Sequence, residues 1–470
     1  MEQCACRNGA APVPRSGRTH NEPGLSPLVL VVHGWSDRNK GDAAIVECLA
    51  RLVRGSFPEA EFKLVSDFGA HDRRLTDEYF ETRAHFPGGI LGSLFPIVPI
   101  EPSRRQGVAA SGRLSEVLQT LFYVFRAAWV LSPVPAPACL WTRPERETLR
   151  AFRRAAVVIS KGGGFIFAEP TLRSSFRLRR NLFPLSLASR FGVPFVLYGQ
   201  SIGPFATRRQ AALARRVLDG ARLILVRESL SARTLAELGV AAPVRVVPDL
   251  AFGLGSAPPT KAEAVLRRHR VPLGAPLLGV TVREWGEATP RYVSAMADAV
   301  ASLAREAGVH AIVWPQCTGP GPLEDDRRTG RALRRVLEER GQEGVKVTVV
   351  EEELPAAVLK ACYGRMDAFV ATRFHSAIFA LSGGVPTLVV GYWGPKAEGI
   401  MGSLGLEEWV LPMTGVTPEG LTSALLGLWE HRREVGRLIG ERLPAVVDEA
   451  KRLDPAVLPT SPARINEGEQ

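Results

Sequence analysis

The chain has 470 residues, 46% of them hydrophobic and 23% charged, with a formal net charge of +11. That is an ordinary globular composition, enough for roughly two or three domains at about 150 residues each. The basic side is mostly arginine, with eight lysines among 59 Lys and Arg; these are scattered, without zinc-finger spacing or alternation with aromatics, which argues against a nucleic-acid partner. Two explanations of the charge stay open: genomic base composition, or a phosphate-rich or anionic-membrane partner. Six cysteines (Cys4, Cys6, Cys48, Cys139, Cys317 and Cys362) spread over so long a chain suit a reducing cytoplasm, not a disulfide scaffold. The first 25 residues have no apolar segment of the signal-peptide kind, and no run of 18 apolar residues predicts a spanning helix.

Residues 1–26 are aperiodic and read as disordered. The run 28–32 reads as a buried parallel strand. It leads through His33 to Asp42 into a helix over 43–54 and a strand over 61–66. Residues 70–148 break this rhythm. The stretch 86–102 is rich in Gly, Pro and bulky apolar residues, and 114–141 is apolar and aromatic. Three arrangements account for it: a buried helix pair, a lobe resting on lipid, or an oligomer contact. Strands then recur at 155–160, 193–199, 221–226 and 244–248, each delivering glycine or polar residues at its carboxyl end. Residues 255–259 read as a linker. A second set of strands follows at 277–282, 310–314, 346–350, 366–371 and 387–390, with helices over 292–307, 324–340, 356–362 and about 417–452.

The strand 366–371 ends in Thr372-Arg373-Phe374-His375, where a small-residue helix pattern begins. Ligands of open α/β sheets bind at strand carboxyl ends. Helix starts favour anions, arginine grips phosphate or carboxylate with a fork of donors, and histidine supplies a proton near neutral pH. An anionic substrate needing acid catalysis fits such a site. Arg227 and Arg283 also follow strands and could converge with Arg373 on one anion. Gly162, Gly163 and Gly164 would let backbone N–H groups approach it.

Seven short motifs stand in order: Asn39-x-Gly41-Asp42-x-Ala44-Ile45, Gly162-Gly-Gly164, Tyr198-Gly-Gln-Ser-Ile-Gly-Pro204, Arg227-Glu-Ser229, Pro248-Asp249, Arg373-Phe-His375 and Gly391-Tyr392-x-x-x-Lys396. In this the chain resembles the polysaccharide pyruvyl transferases, over about residues 30–410. The resemblance implies an α/β fold of two Rossmann-like, doubly wound domains facing a cleft, as in GT-B glycosyltransferases. The domain limits expected are 27–256, with the apolar insertion at about 70–148, and 257–456, leaving 457–470 as a tail. It also implies phosphoenolpyruvate as donor, a sugar or lipid-linked glycan as acceptor, release of phosphate, and neither cofactor nor metal. The chain departs from the family at 70–148 and at Phe374, where an aliphatic residue is commoner.

On this reading His375 is the general acid that protonates the donor's methylene carbon. Arg373, Arg227, Arg283 and the three glycines hold the donor. Asn39, Asp42, Gln200, Ser201 and Lys396 serve the acceptor or the loop geometry. Structural alternatives stand beside each role. His375 and Asp42 would cap helices. Arg227 would pair with Glu228 or Asp249, and Arg283 with Glu284. The glycines would make a tight turn, and Lys396 would be a solvated loop residue. Two other functions compete: a GT-B glycosyltransferase using a nucleotide sugar, and a non-catalytic member that binds glycan precursors. Many such glycosyltransferases carry two glutamates eight positions apart; here Glu398 is followed by Leu406 at that spacing, with Glu407 one place late. A cytoplasmic location is expected, with peripheral contact through 86–141 at the inner membrane face.

Overall fold

The computed structural model describes residues 26–97, 110–134, 137–340, 344–391 and 396–458. Among the described residues the amino-terminal half contains eight strands: β1 (Leu28–Gly34), β2 (Glu61–Gly69), β3 (Ile90–Ser93), β4 (Ala155–Ser160), β5 (Gly163–Ala168), β6 (Phe195–Phe205), β7 (Leu223–Val226) and β8 (Val244–Val246). They form one parallel sheet in the order β3-β2-β1-β4-β6-β7-β8, with β5 also pairing with β6. The carboxy-terminal half contains β9 (Leu277–Val280), β10 (His310–Val313), β11 (Val347–Val349), β12 (Ala368–Ala371), β13 (Thr387–Gly391) and β14 (Val410–Pro412). These are also parallel, in the order β11-β10-β9-β12-β13-β14.

Both sheets are therefore doubly wound, and each reverses its strand order once, between β1 and β4 and between β9 and β12. The reversal opens a crevice at the strand carboxyl ends. Three of the sequence motifs and one further candidate residue sit there: Asn39 beyond β1, the glycines beyond β4, Arg373 and His375 beyond β12, and Arg283 beyond β9. The strands that carry them are continuous apolar runs because both faces are covered, and β12 is buried throughout.

Three strands had no clear signal in the sequence. β14 is short and half-buried. β5 takes up Gly163 and Gly164, so the glycine cluster is strand and not free loop. β3 lies inside the apolar segment 70–148 and extends the main sheet at its edge. That segment is thus partly built into the domain. Helix Ala110–Leu131 buries Arg126, Ala127 and Val130 against the same face. The Gln200 motif is likewise strand. Gly199 has φ +71° and the register with β7 slips between Tyr198 and Gln200, a bulge that only glycine makes easily.

Backbone bonds tie the halves together beside the crevice. Lys40 N–H donates to Gln316 O at 3.2 Å and Thr318 N–H to Arg38 O at 3.0 Å. Glu353 accepts from Arg38 at 2.6 Å and lies 3.1 Å from Lys40 Nζ. After the last helix, Arg432–Ala450, the chain returns to the first half. Tyr198 donates to Arg452 O at 3.1 Å, and Arg245 pairs with Asp454 at 2.5 Å. Val457 and Leu458, at the start of the segment read as a tail, are buried. Residues 1–25 and 459–470 lie outside the described residues. No helix among the described residues is long and apolar enough to cross a membrane.

Candidate active site

A cavity of about 410 Å³ lies between the two sheets, within the size range of small-molecule sites. Its walls bring together Asn39, Asp42, Gly163, Gly164 and Arg227 from the first half, and Arg283, Arg373, Phe374 and His375 from the second. Gly162, Gln200 and Ser201 do not reach it. Lys396 opens helix Lys396–Ser403, and its side chain falls outside the described residues.

Arg373 caps helix Phe374–Ser382, and His375 stands in its first turn. The Arg373 guanidinium grips Asp326, with Nε 3.1 Å and Nη2 2.5 Å from Oδ1. Asp326 in turn accepts from the backbone N–H groups of Gln316 and Cys317. Burial raises the Asp326 carboxyl despite Arg373. His375 Nε2 is buried without a hydrogen-bond partner among the described residues. It lies 3.8 Å from Oδ2 of Asp249, too far for a hydrogen bond.

Asp249 is shared. Arg227 Nη1 donates to the same Oδ2 at 2.7 Å. Burial alone would raise the Asp249 carboxyl, yet His375 and Arg227 together hold it well below the usual carboxylate range. Arg227 is further fixed by Ser201 Oγ at 2.7 Å and by the Phe374 ring, 4.1 Å from its guanidinium carbon. Ser201 therefore works beneath the cavity wall, orienting Arg227. The pairing of Arg227 with Asp249, one of the two arrangements the sequence left open, coexists with its place in the wall.

Arg283 donates Nε–H to the backbone oxygen of Glu284 at 3.2 Å and stands over Trp285. Gly162 is a packing glycine: a Cβ there would lie 2.9 Å from Gly199 O. Gln200 belongs to a buried relay. It donates to Ser160 Oγ at 2.9 Å, Ser160 Oγ lies 2.9 Å from His33 Nδ1, and His33 Nε2 lies 2.7 Å from Asn181 O. Because a carbonyl only accepts, Nε2 carries the proton and Nδ1 accepts from Ser160. Burial pushes the His33 imidazole down to about 3, so it is neutral.

Several wall residues escaped the sequence reading. Lys161, 1% exposed, pairs with Asp42 across the cavity floor. Its signal was present, since it directly precedes the glycines at the end of β4. Arg177, Arg180 and Asn181 come from the middle of helix Leu172–Arg190, where no motif marks them. Asp67 and Glu324 add carboxylates, both raised by burial, Asp67 to about 6. Among the described residues no group of three or more His, Cys, Asp or Glu side chains is placed to hold a metal ion.

The family model for polysaccharide pyruvyl transferase matches residues 39–394, which contain nearly every residue of this wall. The chain belongs to that family. The amylovoran biosynthesis protein AmsJ of Erwinia amylovora is 25% identical over 260 residues, covering 52% of this chain and 59% of that protein. Two solved structures share the two-domain fold alone. A glycosyltransferase from Rickettsia africae has a TM-score of 0.52 at 11% identity, covering 92% of this chain and 96% of its own. The UDP-GlcNAc 2-epimerase of Neisseria meningitidis, solved with UDP-GlcNAc, has a TM-score of 0.50 at 11% identity, covering 90% and 97%. The pyruvyl transferase motifs fall into two tiers in this chain. Those holding Asn39, Asp42, Arg227, Arg373 and His375 reach the cavity, and the Gln200-Ser201 strand braces them from behind.

Proposed function

We propose that the chain transfers the pyruvyl group of phosphoenolpyruvate to hydroxyls of a sugar acceptor in polysaccharide biosynthesis, forming a ketal and releasing phosphate. The observation that carries the reading is that Arg227, Arg283, Arg373 and His375 line one cavity, with His375 Nε2 buried and making no hydrogen bond among the described residues. The donor has a phosphate and a carboxylate, and guanidinium groups match both. Protonated His375 gives its Nε2 proton to the methylene carbon, which becomes a methyl, and positive charge develops on the central carbon. One acceptor hydroxyl adds there and its proton returns to the imidazole. A second hydroxyl then forms the other C–O bond as the C–O bond to phosphate breaks. Its proton leaves on the phosphate, and Asp42, held by Lys161, orients the two hydroxyls. The acceptor is a glycan or its lipid-linked precursor, presented at an anionic membrane face.

The exposed side of helix Ala110–Leu131 supports that last point, with Leu118, Leu121, Phe122 and Phe125 each 48–59% exposed at i, i+3, i+4 and i+7 spacing. The test supplies phosphoenolpyruvate or a nucleotide sugar with an acceptor pool and follows phosphate or nucleotide release, with mass spectrometry of the product. Phosphate release with pyruvate gained as a ketal is expected. Nucleotide release instead would replace this reading with glycosyl transfer. His375→Ala should lose about 10²–10⁴-fold in turnover while still binding phosphoenolpyruvate in calorimetry.

A further inference from the structure

The cations of the cavity are not equivalent. Lys161, Arg227 and Arg373 each face a carboxylate, on Asp42, Asp249 and Asp326. Arg177 and Arg180 have none within ion-pair distance among the described residues. They stand one turn apart on helix Leu172–Arg190 and line the same cavity.

Neither is idle on the surface. The Arg177 guanidinium lies over the Phe167 ring at 4.5 Å and donates to Ser174 Oγ at 3.1 Å, while its Nε is buried without a partner. Arg180 donates twice to Asn181 Oδ1, at 2.9 and 3.2 Å, and Asn181 is itself locked by Phe165 O and His33. Burial lowers both guanidiniums from their ordinary value. The Asp67 carboxyl near Arg180 and the Glu169 carboxyl near Arg177 act on them from beyond ion-pair distance, so neither arginine has a directly bonded counter-charge among the described residues. Partly desolvated cations held in fixed positions without a carboxylate in direct contact are stabilised by an anion from outside.

We propose that Arg177 and Arg180 form a second anion subsite in the cleft, which takes the diphosphate that links the acceptor sugar to a lipid chain. The assignment rests on the pyruvyl-transfer reading and specifies its acceptor. Helix Ala110–Leu131 packs against the helix that carries both arginines, and presents its apolar stripe to solvent. On this assignment the sugar of such a ligand sits at the catalytic wall, its diphosphate at the two arginines and its hydrocarbon on that stripe. The donor stays with Arg227, Arg283 and Arg373.

The experiment titrates inorganic pyrophosphate, farnesyl diphosphate and phosphoenolpyruvate separately into the wild-type protein, Arg177→Ala/Arg180→Ala and the charge-keeping Arg177→Lys/Arg180→Lys. Loss of two charge-assisted contacts should weaken pyrophosphate about tenfold or more in the alanine variant. The lysine variant should recover part of it, and phosphoenolpyruvate affinity should stay within about twofold. Farnesyl diphosphate should bind more tightly than pyrophosphate, and Phe122→Gln/Phe125→Gln should erase that advantage. Unchanged pyrophosphate affinity in the alanine variant, or a parallel loss of phosphoenolpyruvate affinity, would overturn the subsite. Equal affinity for pyrophosphate and farnesyl diphosphate would overturn the lipid-linked assignment in favour of a soluble phosphate. A wild-type protein that binds pyrophosphate through these arginines but not phosphoenolpyruvate would sink the pyruvyl-transfer reading instead.

Discussion

Gly41 lies flat against the imidazole of His375. A Cβ on residue 41 would come 2.6 Å from His375 Cβ and closer still to Cγ and Nδ1, so only a hydrogen fits there. The two residues belong to opposite halves of the molecule, each in the first turn of a helix at a strand-order reversal. The glycine between Asn39 and Asp42 therefore sets where the imidazole of the other domain can stand.

Gly41→Ala should push His375 aside. Turnover should fall about 10²-fold or more, as for a misplaced acid. Phosphoenolpyruvate binding, made by the arginines, should change only a few-fold. Overpacking should also cost about 1–3 kcal/mol of stability. Rates, calorimetry and denaturant melts read these separately; near-normal turnover would show that residue 41 does not fix the imidazole.

Asp249→Asn removes the counter-charge of Arg227, whose side chain is 5% exposed. Breaking a buried pair from one side costs about 3–5 kcal/mol. The Asp249 carboxyl is held below its ordinary range, so its stabilisation is complete above the unfolded value of about 4 and fades as pH falls below it. The stability gap between wild type and variant should therefore be fully present at neutral pH and shrink below about pH 4. A gap that stays constant in strong acid would reject this account.

His33 holds φ +68° and is neutral, with its pKa lowered to about 3. Unfolding restores an ordinary imidazole near 6.5, so between those values the unfolded state binds the extra proton and stability rises with pH. From about pH 6.5 to pH 5 the wild type should lose about 2 kcal/mol on this group. Asparagine tolerates positive φ, so His33→Asn should be less stable at neutral pH but lack this acid slope. Parallel slopes in chemical denaturation would count against a buried neutral imidazole.

Leu121→Gln/Phe122→Gln/Phe125→Gln alters only exposed side chains of helix Ala110–Leu131. Melting temperature should hardly move, while co-sedimentation with anionic liposomes should drop sharply, since each buried Leu or Phe is worth about 1.5–3 kcal/mol. Equal sedimentation of wild type and variant would remove the lipid contact.

The α/β class and most of the strands were legible from local pattern alone. Buried parallel strands such as β4 and β12 are unbroken apolar runs, and the polar residues that follow them mark the crevice rim. Arg373 and His375 could be read as a site for the same reason, because a strand end and a helix start are adjacent in sequence. The partners of those residues were not legible. That Asp326 holds Arg373, that Asp249 serves both Arg227 and His375, and that Gly41 abuts the imidazole depend on packing between segments far apart in the chain. Arg177 and Arg180 are ordinary helix arginines by sequence, and only the closed cleft leaves them desolvated beside one another. Sequence periodicity reports which face of an element avoids water. Which charge ends beside which is decided by tertiary packing, where distance and burial fix the electrostatics.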